Sequence, residues 1–376
     1  MKKVHITLVG GQPVPVYIGI KDDGQASTVV LVCSPQSKTE AERIQEQFPK
    51  RKILLKTCPP VELVDIENLA IELFNDYSDC EKTINLTSGT KLWSLTFFRV
   101  FNQDMNSHFI YIDQNNQITD ILTKDSHIGA INTLKRFELY GTPLTSFLML
   151  DEYDDEDLHV AKEIERLRNR NRYEFIRLTG NRNLSEMNER DVLMTDKGSK
   201  LEYSLDERWA RIELYTEKKL LTKEFHCQHL FDILFNSGWF ELKTAIELNK
   251  NERIKDIWLN CEFGDSEGNP KNEIDIIAEL DNRLLFVECK TMVHDSTDID
   301  KFRSALRNFS GTSSTGIFIT NDKPNAFSMS RYEHAMEKCK DNGILTFNFS
   351  LWRSNPIETP TLKAIVNEQI QLQNKR

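Results

Sequence analysis

Along the first third of the chain, apolar residues fall in short β-branched runs separated by stretches of helical period. VHITLV, STVVLVC, RKILLKTC, KTINLT and HFIYID read as strands, and KTEAERIQEQF and ENLAIELFNDY between them as helices. This alternation predicts a parallel, doubly wound α/β sheet, whose ligands bind beyond the carboxyl ends of its strands. In residues 145–215, an acidic block from Asp151 to Asp157 faces a basic one carrying Arg166, Arg168, Arg170 and Arg172. Opposed blocks of this kind read as a solvated connector with helical and hairpin pieces, whose arginines are surface charges before they are nucleic-acid contacts. Helical pattern returns from Tyr215 through LTKEFHCQHLFDILFNSGWFELKTAIELNK, with a break at Gly238. A strand (DIWLNCEF), two more in 273–280 and 284–290, a helix (DIDKFRSALRNF), a strand (TGIFIT), a helix (FSMSRYEHAMEKCK) and a strand (GILTFNF) complete the order αβββαβ with a βαβ addition. The tail after Pro360 is polar and reads as a loosely packed end. The pattern divides the chain into 1–144, 145–215 and 216–376.

The sharpest patterning lies in NEIDIIAELDNRLLFVECKT, residues 272–291. Asp281-Asn282 between two alternating runs signals a two-residue hairpin loop. Leu280 then pairs with Arg283, Asp275 faces Glu288, and Glu273 faces Lys290. The reverse face collects Ile274, Ile276, Ala278, Leu280, Leu285, Val287 and Cys289 as an apolar surface. Opposed carboxylates repel, so a purely structural sheet gains nothing from setting Asp275 against Glu288. A hard divalent cation, Mg²⁺ or Mn²⁺, held by both acids and the Cys289 carbonyl removes the conflict. Lys290, on the same face, is placed to orient a water or stabilise charge on a phosphoryl group. A lone E-x-K triplet arises by chance in any charged protein; the register and the apolar reverse face set this one apart.

Asp275, a 12-residue gap and Glu288-Cys289-Lys290 resemble the PD-(D/E)xK, or restriction-endonuclease-like, nuclease superfamily, with Ile274 where a proline is conventional. The resemblance implies metal-dependent cleavage of DNA or RNA phosphodiesters. In that superfamily a helix beside the active sheet often adds an acid. Glu241 is the candidate here, although it also reads as a surface glutamate of an amphipathic helix. Glu273 is a further candidate acid, and Lys301 and Arg303 are candidate cleft residues.

Two strand ends in the first sheet are distinctive. Gly10-Gly11-Gln12-Pro13 follows the first strand, and Thr87-Ser88-Gly89-Thr90-Lys91 leads from the fourth into a helix, with Ser34 after the second strand. Free N–H groups, hydroxyls and a lysine suit an anion, while the same small polar residues also begin helices as caps. NLTSGTK with the glycine loop resembles the CRISPR-associated Rossmann fold (CARF) domain, Ser88 standing in place of a glycine. The resemblance implies a sensor of cyclic oligoadenylates from type III CRISPR systems, with cyclic tetraadenylate as the expected activator. A ring with compatible two-fold symmetry suits two such rims across a homodimer.

Composition adds limits. Among 376 residues the net charge is −10, so any nucleic-acid footprint is local rather than global. Seven widely spaced cysteines without a CxxC pair suit a reducing cytoplasm. His226 and His229 on one helical face lack a second pair at zinc-finger spacing. The apolar N-terminal run is broken by Gly10, Gly11, Pro13 and Pro15, unlike a signal peptide, and no stretch is apolar enough for a membrane span. The expectation is a dimeric, ligand-activated metal nuclease. A junction-resolving repair nuclease without a signalling ligand and an inactive nucleotide-binding protein are the rivals.

Overall fold

The computed structural model describes residues 2–374 except 181, 218, 265–269, 294–295, 310–313 and 326–327. Two compact units emerge, one of residues 1–145, 263–271 and 308–313, the other of 146–262, 272–307 and 314–376.

The first unit contains β1 (Lys2–Val9), α1 (Pro13–Asp22), β2 (Thr28–Cys33), α2 (Lys38–Glu46), β3 (Ile53–Thr57), α3 (Leu63–Asp76), β4 (Cys80–Asn85), α4 (Lys91–Phe101), β5 (Ser107–Ile112), β6 (Gln117–Asp120), β7 (Ser126–Ile128) and α5 (Thr133–Leu139). Its sheet has the order β3-β2-β1-β4-β5-β6-β7. The first five strands are parallel, and the short β6 and β7 add an antiparallel edge. Strand alternation explains the near-continuous apolar runs. Val30 and Val32 pack with Trp93, Phe97 and Ile66 on one face, and Val29 and Leu31 with Val16, Ala41 and Ile44 on the other. A parallel sheet covered by helices on both sides needs such two-faced strands. Strand order reverses between β1 and β4, so the loops after these two strands flank the crevice where doubly wound sheets bind ligands.

The second unit opens with β8 (Leu144–Met149), α6 (Asp155–Arg168) and α7 (Arg172–Thr179). A meander of β9 (Arg190–Met194), β10 (Lys200–Ser204), β11 (Trp209–Tyr215) and β12 (Leu220–His226) follows. Next come α8 (Leu230–Leu234), α9 (Gly238–Leu248), β13 (Ile254–Gly264), β14 (Pro270–Leu280), β15 (Arg283–Lys290), α10 (Thr297–Phe309), β16 (Ser314–Thr320), α11 (Met329–Asp341), β17 (Leu345–Asn348), α12 (Phe349–Ser354) and α13 (Leu362–Asn374). The main sheet has the order β17-β16-β15-β14-β13-β8. Ile276, Ala278, Leu285 and Val287 pack into one core with Leu242 and Ala245 of α9 and Ile164 of α6.

Four local expectations are revised. LTKEFH is strand β12, not helix: Leu221 pairs with Leu214 and Thr222 with Glu213, and this pairing outweighs the helical propensity of Leu, Lys and Glu. His226 therefore ends a strand while His229 precedes α8, and the two share no helix. The tail after Pro360 forms α13, anchored by buried Leu362 and Val366. Arg170 lies between helices and Arg172 begins α7, while Asp155, Glu156 and Asp157 form the first turn, and Arg166 and Arg168 the last, of one packed helix, α6, whose dipole they complement. Asp154 caps it by accepting the Glu156 and Asp157 N–H groups, both at 2.9 Å. Buried Val160, Ile164 and Leu167 each contribute about 1.5–3 kcal/mol, and Arg168 lies under Trp239 with its guanidinium 5.3 Å from the ring centre. Among the described residues, no helix is long and apolar enough to cross a membrane.

Candidate functional site

In the second unit, the hairpin ladder runs from Leu280 with Arg283 to Ile276 with Val287. Asp281 turns the chain at φ +55°, a backbone region that Asp tolerates better than most residues. The next step in the same register sets Asp275 beside Glu288. There the side chain of Asp275 takes over from the ladder, its Oδ2 accepting the Cys289 N–H at 2.6 Å. Lys290 Nζ lies 2.5 Å from Glu288 Oε1. The charged face is not wholly polar, because Ile277 and Phe286 on it are buried, so the acids sit at one end of a sheet covered on both sides. The Cys289 side chain belongs to the core, which leaves its backbone groups for the site.

Glu241, from the first turn of α9, joins this group. The helix starts there because Asn236 and Ser237 turn through positive φ and Gly238 admits the Asp232 carbonyl, which a Cβ would meet at 1.7 Å. The Ser237 and Thr291 hydroxyls lie 3.5 Å apart, tying that turn to the end of β15.

The electrostatics follow from burial and crowding. Glu288 is pushed up to about 8 by burial and then by Asp275, with Lys290 pulling the other way. Burial also raises Asp275, against the pull of Lys290 and the Cys289 N–H. Glu241 stands well above the usual carboxylate range, through burial and then the charges of Asp275 and Glu273. Glu273, the exposed one of these four acids, is raised by partial desolvation and by Asp275. For Lys290, burial acts against the charge but Asp275 and Glu288 outweigh it, so the ammonium stays protonated. Asp298, in the first turn of α10, is a further acid near this group: it repels the charges on Asp275 and Glu288. Its sequence context, an acid at a helix start, marks no more than ordinary dipole complementation.

Among the described residues, no three His, Cys, Asp or Glu side chains close into a metal cage. The donor set nevertheless fits a hard divalent ion, since several carboxylates crowd around one ammonium in a partly dry place. Asp275, Glu288 and the Cys289 carbonyl are the candidate ligands, with Glu241 and Glu273 beside them.

In the first unit, Gly10, Gly11, Gln12, Thr87, Ser88 and Gly89 line a cavity of about 500 Å³. Ser34 and Thr90 line an adjoining one of about 330 Å³, which shares Gly10, Gly11 and Gly89. The two loops meet glycine to glycine: a Cβ on Gly10 would lie 2.8 Å from the Gly89 nitrogen, and Gly89 itself has φ +83°. Several hydroxyls are already engaged. Thr87 donates to Asn85 Oδ1 at 2.7 Å and accepts the Ile112 N–H at 2.7 Å. Ser88 donates to the Gln12 carbonyl at 3.0 Å. Thr90 caps α4 by accepting the Trp93 N–H at 3.2 Å, and Ser34 forms a reciprocal cap with Ser37. Pro13 is buried at the start of α1 and Lys91 is exposed at the start of α4; neither lines these cavities. Pro15, Tyr111, Asp113 and Gln114 do line the larger one. The last three sit where β5 ends, the position at which a doubly wound sheet offers ligand contacts.

Two family models match the chain: the Card1 CARF domain over residues 4–136 and the Card1-like endonuclease domain over residues 231–337. The chain belongs to the CARF-domain nucleases, a sensor fold joined to an endonuclease fold. Its fold is similar to that of Can2 from Sulfobacillus thermosulfidooxidans in complex with cyclic tetra-adenylate, at TM-score 0.66 and 17% identity over 96% of this chain and 99% of that one. It is also similar to protein VC1899 from Vibrio cholerae, at TM-score 0.63 and 15% identity, covering 92% and 94% of the two chains. A type III CRISPR defence DNA nuclease activated by cyclic oligoadenylate is similar at TM-score 0.55 and 13% identity, over 97% of this chain and 53% of that one. No curated protein sequence matches.

Proposed function

We propose that this protein is a nuclease of type III CRISPR defence, switched on by a cyclic oligoadenylate, with cyclic tetraadenylate the expected activator. The observation that carries the reading is the grouping of Asp275, Glu288 and Lys290 at one hairpin end within the endonuclease-family segment. The glycine-lined cavity in the CARF segment supplies a place for the activator.

Asp275 and Glu288, with the Cys289 carbonyl, would hold Mn²⁺ or Mg²⁺. Such an ion supplies positive charge at a phosphodiester and makes bound water acidic enough to attack at neutral pH. The Cys289 N–H orients Asp275 and favours its ionised form against the effect of burial. Lys290 keeps its proton on Nζ, so it acts as a donor that positions water or stabilises charge on the phosphoryl oxygens, not as a base. Glu241 and Glu273 place two more carboxyl groups around the same point, and a bound cation would favour their ionised forms. The substrate is DNA, RNA or both, and the working form is a cytoplasmic homodimer in which two CARF cavities face one ring across a two-fold axis.

The test is cleavage of labelled DNA and RNA with Mn²⁺ or Mg²⁺, with and without cyclic tetraadenylate. Cleavage that needs both ligand and metal, and disappears in Asp275→Ala, supports the reading. Equal cleavage by Lys290→Ala and the unaltered protein ends the catalytic assignment.

A further inference from the structure

A cleft of about 1010 Å³ in the second unit has none of the hairpin acids in its lining and has no part in the function argued so far. Its walls come from the α6–α7 junction and α7, the β9–β10 turn and the β11–β12 turn, with Met292 at one side. Arg170, Arg177, Lys197 and Lys219 line it, all exposed and supplied by three separate elements. Arg177 makes one loose pair with Asp196 at 3.4 Å, between two exposed side chains. Two acids share the lining, but Glu174 is buried and accepts a hydrogen bond from Thr195, which leaves Glu217 as the exposed one. Tyr173 presents its ring to solvent at 69% exposure, backed by the Arg172 guanidinium 5.5 Å from the ring centre. Met292 is two residues beyond Lys290.

A chain of net charge −10 that gathers four cations around an open groove has made a local anion track. An exposed aromatic ring in such a track is a platform for an unstacked base, which a duplex does not offer. We propose that this cleft binds single-stranded nucleic acid, with Arg170, Arg177, Lys197 and Lys219 on phosphates and Tyr173 stacked on a base, and delivers the strand toward Lys290. The inference rests on the nuclease reading and names the substrate class for it.

The experiment measures anisotropy of labelled single-stranded DNA and RNA, and of a duplex, on the full chain carrying Lys290→Ala with Mg²⁺. Adding Arg177→Glu, Lys197→Glu and Lys219→Glu together should weaken single-strand binding at least about tenfold. It should also flatten the slope of log affinity against log salt by about 2, at ~0.7 per lost phosphate contact. Tyr173→Ala should weaken it about fivefold to a hundredfold with the slope unchanged. Lys250→Glu, an exposed charge outside the cleft, should change it less than about twofold. Single-strand binding unchanged in the triple variant, equal weakening by Lys250→Glu, or duplex bound as tightly as single strands overturns the inference. A triple variant that binds and cuts as the unaltered protein does removes the cleft and leaves the nuclease standing. Binding that tracks the cleft in a protein that cuts nothing does the reverse.

Discussion

The two candidate sites solve opposite problems. Around the CARF cavity, loop hydroxyls and amides are satisfied by one another: Thr87 with Asn85 and Ile112, Ser88 with Gln12, Thr90 with Trp93. The cavity is held open by internal hydrogen bonds and by two glycines in contact, so its shape is preformed. Around the hairpin end, Glu241, Glu273 and Glu288 are raised by desolvation and by Asp275, and Asp275 by desolvation and Asp298, with Lys290 close by as counter-charge. A receptor for a large ring gains from rigidity. A site that must place charge on a phosphodiester gains from an unsatisfied field, and the cost is borne by the fold.

Removing the charges that distinguish the hairpin end should have the largest effect. Asp275→Ala and Lys290→Ala should each lower ligand-activated cleavage by about a thousandfold, measured as single-turnover rates, while binding of cyclic tetraadenylate stays as it was. A smaller effect separates the sites from the other side. Gly10→Val drives a side chain into the Gly89 backbone and should weaken ligand binding about tenfold to a hundredfold, read by calorimetry. Wild-type affinity in that variant would show that the glycine contact does not shape the cavity.

Stability in the absence of divalent ions offers a subtler comparison. Carboxyls whose folded pKa is raised contribute stability that is full below about pH 4.5 and is lost as the pH rises, for Glu288 through about 8. Metal-free protein should therefore melt at falling temperature across that window. Glu241→Gln should be more stable than wild type at pH 8, with the gap closing in acid. Melting curves in EDTA at several pH values check both, and a gap that widens in acid would reverse the assignment. The smallest effect belongs to the preformed site: Thr90→Ala should cost about 1 kcal/mol through the lost cap of α4, and Thr90→Ser should restore it in chemical denaturation.

Legibility in sequence followed locality. The hairpin register could be read because a two-residue loop fixes it, and Asp281 does turn the chain there. The glycine loops could be read because a parallel sheet places its crevice at the strand-order reversal, between β1 and β4. Strand β12 could not, since LTKEFH has helical residues and becomes a strand only through β11. Asp298, Tyr111, Asp113 and Gln114 were missed for the same reason: each gains its meaning from a partner distant in the chain, and nothing beside it in sequence announces that partner.

The hydrogen bond from the Cys289 amide to Asp275 has an evolutionary corollary. The donor is main chain, so mutation at 289 can alter the thiol without disturbing the grip on the carboxylate; proline alone, lacking the N–H, would release it. The middle letter of the triplet is therefore free to drift among small apolar residues that the neighbouring core tolerates, while the letters on either side are not.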